Sequence, residues 1–153
     1  MNLIPAVIGI GLLALTIGAG ITYVNPGAQA AAETTAVVTA GFQSLAQAYQ
    51  SRQMTGAPPP DPASWESALF PAYGFEPRPP TGGSWSYGVS AAGRWFCLSF
   101  AKAGGPTRAA LASVGKRYSA VSYQISGACG DATASSTTGD AVSATLWVSR
   151  EGS

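Results

Sequence analysis

The side chains in this sequence that could do chemistry are few and scattered. Its carboxylates are Glu33, Asp61, Glu66, Glu76, Asp131, Asp140 and Glu151. General acid–base work needs such a group beside a partner that tunes it, and none of the seven sits in a pattern that would make it an acid, a base or a metal ligand. The sequence has no histidine, so the commonest general base and the commonest zinc ligand are both missing. A serine nucleophile would need a lysine base, yet Lys102 and Lys116 lie in no recognisable arrangement. Cys97 and Cys129 are the two cysteines, and two thiolates without imidazole leave a zinc site short of ligands. The expectation is a protein that is not an enzyme, with no catalytic, metal or cofactor site and no small-molecule substrate.

Composition narrows the alternatives. A net charge of +1 gives no electrostatic footprint for nucleic acid. Charged residues make up 10% of the chain, against about 25% in an ordinary soluble domain. With 19 glycines and 11 prolines among 153 residues, the chain is rich in turns and long enough for one domain plus an appendage.

The appendage is at the start. The first charged side chain is Glu33, and Leu3 to Val24 is apolar apart from Thr16, Gly residues, Thr22 and Tyr23. As a helix this run would be about 33 Å long, enough for a bilayer core. A secretory signal peptide is the rival reading, since Ala28-Gln29-Ala30 has the A-x-A form of a cleavage site. Against it, the segment before has no Lys or Arg, and the run exceeds the usual apolar region of about 7 to 15 residues.

Beyond Asn25-Pro26-Gly27 the pattern becomes amphipathic. Val38, Phe42, Leu45 and Tyr49 follow at spacings of 4, 3 and 4, with Thr34 and Arg52 extending the row. Glu33, Gln43, Gln47, Gln50 and Gln53 occupy other faces. That is one narrow apolar stripe on a helix rich in alanine. The helix should stop near Met54, because Gly56 and Pro58-Pro59-Pro60 cannot continue it. Asn25, Pro26 and Gly27 are then a kink or melted link inside a helical stretch of about 50 residues.

The rest reads as a compact head. Asp61-Pro62 supplies a cap and first-turn proline for a short helix ending near Phe70. Residues 85–89 and 95–100 alternate like the strands of a hairpin turning at Ala91-Ala92-Gly93. Thr107, Leu111, Val114 and Tyr118 mark a helix over 106–117, and 121–126 and 142–149 are further strands. The expected segments are 1–28, a hydrophobic transmembrane or core half-helix; 29–55, an amphipathic half-helix packed on the head through Val38, Phe42, Leu45 and Tyr49; and 56–153, the head. In a domain exported from the cytoplasm, Cys97 and Cys129 should form a disulfide worth about 3 to 4 kcal/mol; the alternative is two independent buried thiols. A second functional reading is an anchored or secreted extracytoplasmic binding domain that does not polymerise, with Trp65, Trp85, Tyr87 and Trp95 as its aromatic contacts.

Taken together, these features resemble a mature type IV pilin, closest to the type IVb branch. The likeness rests on the apolar N-terminal run, the Pro/Gly interruption, the stretch TTAVVTAGFQSLAQAYQ, and the two cysteine segments RWFCLSF and ISGACG. It spans the chain and is architectural. It implies an α+β fold, a long N-terminal helix with an apolar first half on a small antiparallel-sheet head with one disulfide. It also implies a structural subunit of an extracellular filament, made with further copies or other pilins and held in the inner membrane before assembly. The filament core would be Leu3, Ile4, Pro5, Val7, Ile8, Ile10, Leu12, Leu13, Leu15, Ile17, Ile21 and Val24. Met1 would be the N-terminus exposed by a prepilin peptidase and N-methylated, the chain as written being the mature form. Pilins carry a glutamate where this chain has Pro5, and its carboxylate neutralises the ammonium group of a neighbouring subunit. Burying that ammonium unpaired costs several kcal/mol, so Pro5 points to a minor or atypical subunit.

Overall fold

A computed structural model describes residues 25–132 and 139–150. The expected filament-core residues, Leu3 to Val24, and the expected processing site Met1 lie outside the described residues.

The first element, α1 (Pro26–Met54), begins where local chemistry says it should. Pro26 has the helical φ built in and lacks an N–H that the first turn could not use. Asn25 is the cap, with extended backbone and a side-chain oxygen that accepts from the N–H groups of Gly27, at 3.0 Å, and Ala28, at 3.4 Å. The three residues expected as a kink therefore form a capped helix start. Gly56, with φ of 74°, closes the other end by donating its N–H to the Gln53 carbonyl.

Two corrections follow at α2 (Trp65–Leu69). Asp61 does not cap it. The Asp61 carboxylate accepts instead from the Ala63 N–H at 2.8 Å, closing a turn around Pro62, and the helix starts only at Trp65 with Ser64 making no side-chain cap bond. Burial decides the start: Trp65 is 7% exposed and stands edge-on to Phe96, ring centroids 5.7 Å apart. Trp65, Trp85 and Tyr87, offered above as binding-surface aromatics, also belong to the core cluster or pack against it.

The strands are β1 (Gly83–Ser90), β2 (Gly93–Phe100), β3 (Tyr123–Ser126) and β4 (Val142–Arg150), with α3 (Gly105–Gly115) between β2 and β3. The sheet is antiparallel throughout, in the order β1-β2-β4-β3. Ser90 pairs with Gly93 across a two-residue turn, so the hairpin is longer than its apolar alternation suggests. The period of two sends Tyr87, Phe96, Leu98, Phe100, Ala144 and Leu146 to one face. On that face lies the stripe of α1, where Val38, Phe42 and Leu45 are fully buried and Tyr49 is 1% exposed.

Contact between α1 and the sheet depends on one missing side chain. A Cβ on Gly41 would stand 2.4 Å from the Trp85 ring, so glycine is what lets Trp85 lie against the helix and meet Phe42 edge-on at 4.9 Å. Helix α3 completes the layer, bringing Leu111 and Val114 against α1 and β3. The Tyr123 hydroxyl donates to the Leu111 carbonyl at 3.0 Å.

Candidate functional site

Two features stand out from an ordinary two-layer fold: the outer face of the sheet, and the N-terminal half of α1. The outer face carries Ser84 and Ser86 of β1, Trp95, Cys97 and Ser99 of β2, Ser143, Thr145 and Trp147 of β4, and Gln124 and Ser126 of β3. Small polar side chains there would suit water, yet Thr145 and Ser126 are fully buried. What covers them is the segment 127–132.

That segment is tied down on all four strands. Cys129 is bonded to Cys97 of β2, with Cα atoms 5.7 Å apart, and the Ser86 hydroxyl of β1 points at the Cys129 sulfur at 3.7 Å. The Gly130 N–H donates to Thr145 Oγ1 of β4 at 3.1 Å, while Gln124 Nε2 of β3 donates to the Ala132 carbonyl at 2.9 Å. The hydroxyl of Ser126 donates to the Ala128 carbonyl at 2.6 Å. Gly130 has φ of 74°, and a Cβ there would lie 2.5 Å from the Trp95 ring, so a side chain at this position would force the segment off the sheet. The disulfide expected from the sequence is thus the centre of a strap. Sequence reasoning missed the other ties; the adjacent Cys129-Gly130 pair was the one signal of them.

The helix half is different in kind. From Pro26 to Val37 no residue of α1 is buried. Ala28, Ala32 and Ala36 are exposed at a spacing of four, and Val37 is 44% exposed. Thr34, expected at the end of the stripe, is half-buried, and Arg52, expected at the other, donates to the carbonyls of Pro58 and Ala68. Among the described residues no helix is long and apolar enough to cross a membrane; the apolar run expected to do so, Leu3 to Val24, lies outside them.

Among the described residues no three His, Cys, Asp or Glu side chains converge to hold a metal ion, and Lys102 and Lys116 are both exposed. Marked shifts of titration fall on core tyrosines. Burial pushes the Tyr87 phenol up to about 12, the neighbouring Tyr49 adds to this, and Arg94 pulls against it. Burial raises Tyr123 further, with Tyr118 beside it. These are protonated phenols held in a core.

Comparison with known proteins adds no relative: the chain matches no protein-family model, no curated protein and no solved structure.

Proposed function

We propose that this chain is a structural subunit of a type IV pilus-like extracellular filament, assembled through the apolar run Leu3 to Val24. The observation that carries the reading is the joining of three parts. A helix capped at Asn25 starts where a membrane-length apolar run stops; its second half packs on one face of the sheet of an α+β head; and the far face of that head is strapped by a disulfide. A subunit that waits in a membrane and then packs its apolar segment against others needs such a junction. It also needs a head that keeps its shape through the transfer. In this reading the partners are further copies or other pilins, the subunit lies in the inner membrane before assembly and in a pilus afterwards, and the Asn25 to Gly27 junction lets the apolar run re-orient. In this reading Pro5 points to a minor or atypical subunit. No catalysis and no cofactor are involved.

The rival, a secreted domain released by cleavage after Ala30, has its A-x-A residues inside the first turns of α1. Cleavage there would remove the Asn25 cap. Intact-mass and N-terminal analysis of protein from its native membrane separates the two. A mature chain that retains the apolar run Leu3 to Val24 is the expected result; a chain starting at Ala31 would end the filament reading.

A further inference from the structure

One aromatic ring stands outside the core while its backbone is held in place. Phe75 is 90% exposed. Its carbonyl nevertheless accepts from the Ser44 hydroxyl of α1 at 2.9 Å, a Cβ on Gly74 would come into contact with Ala48 and Phe70, and the Arg52 guanidinium sits over the Tyr73 ring at 5.7 Å. The water-exposed ring is therefore presented at a fixed place. Phe75 is itself part of the wall of a groove of about 340 Å³ between this loop and α1, with Val37, Ala40, Gly41 and Ser44 along one side and Phe75 and Pro77 on the other. Glu76 and Arg78 rim it, both exposed, and neither has an ion-pair partner among the described residues.

We propose that this groove receives the Phe75 ring of a second copy of the same chain, reciprocally, about a two-fold axis passing near Pro77. A two-fold contact requires a patch complementary to itself. An exposed ring that walls a mainly apolar groove meets that condition, because each copy's ring can lie in the other's groove against the ring already there. So do the charges: two antiparallel copies of 76–78 centred on residue 77 place Glu76 opposite Arg78 in both directions. With a net charge of +1, no long-range repulsion opposes the approach. The patch is small against the roughly 800 Å² per partner of a stable dimer, so the contact is weak and forms where copies are concentrated. It lies on the head and needs no filament, so its failure would leave the filament reading standing.

The test is photo-cross-linking of the full chain, purified in detergent at high concentration, with benzoylphenylalanine in place of Phe75. Isotopically light and heavy copies are mixed so that links between copies are told from links within one. Links between copies should map to residues 37–41 or 75–78. Glu76→Arg or Arg78→Glu alone should each cut their yield by about fivefold, because each creates like-charge contacts on both sides of the axis. The double reversal should restore it. Links only to detergent, to a different protein or to other regions of a second copy would overturn the proposal, as would a double reversal that fails to rescue.

Discussion

Gly41 is where one atom decides the packing between helix and sheet. Adding a Cβ puts carbon 2.4 Å from the Trp85 ring in a layer that includes fully buried Phe42. Trp85 or the helix must then move, at the roughly 1 to 3 kcal/mol typical of overpacked cores. Gly41→Val should therefore lower the midpoint of denaturant unfolding clearly, whereas Gly139→Val, where a Cβ meets nothing within 4 Å, should leave it nearly unchanged. The tyrosines make a second residue-scale prediction. Tyr87 holds its proton more tightly folded than unfolded, so its contribution to stability is whole below pH 10 and lost as pH rises through about 12. Tyr123, raised by the same cause, acts in the same direction. Unfolding midpoints should thus fall above pH 10, and absorbance at 295 nm should show a late-titrating phenolate class. Full phenolate ionisation near pH 10 with the fold intact would contradict this.

Among the elements, the strap from 127 to 132 carries the clearest consequence. Closing a loop across 32 positions of sequence restricts the unfolded chain by about 3 to 4 kcal/mol. Cys97→Ser with Cys129→Ser should cost a comparable amount in unfolding free energy. It should also raise hydrogen exchange at the Gly130 N–H, which the strap holds against Thr145, more than at the amides of α1. The same elements show how far the sequence could be read. The stripe Val38, Phe42, Leu45 and Tyr49 was legible because a helical face repeats every three to four residues, and all four are buried. The hairpin was legible from alternation, and the disulfide from two cysteines in a domain expected outside the cytoplasm. The placing of β4 between β2 and β3 was not, because a pairing such as Phe100 with Val142 or Gly93 with Arg150, far apart in sequence, leaves no local mark. At Asp61 a turn and a cap use the same residue type, and only the burial of Trp65 chooses between them. At Trp65, Trp85 and Tyr87 the sequence shows ring size but not which face turns inward. The exposed Phe75 left no periodic signal.

At the scale of the molecule, α1 and α3 form the helical layer of the head, and the buried residues between that layer and the sheet form one core. A chain beginning at Asn25 keeps the helix cap, the stripe and the strap. It should be soluble, folded and monomeric at micromolar concentration, because the covered surfaces stay covered and the assembly surface is gone. On the proposed filament reading the apolar run is the polymerising element, and one charge within it should be enough to stop assembly: an aspartate near the centre of such a segment costs roughly 2.5 to 3.5 kcal/mol for insertion alone. The most direct measurement is electron microscopy of filaments from cells making either the native chain or Leu13→Asp, with head folding followed by the Cys97–Cys129 disulfide. Filaments containing the native chain, and none containing Leu13→Asp although its head is oxidised, is the predicted result. Leu13→Asp subunits incorporated normally, or filaments built by the chain that begins at Asn25, would contradict the account.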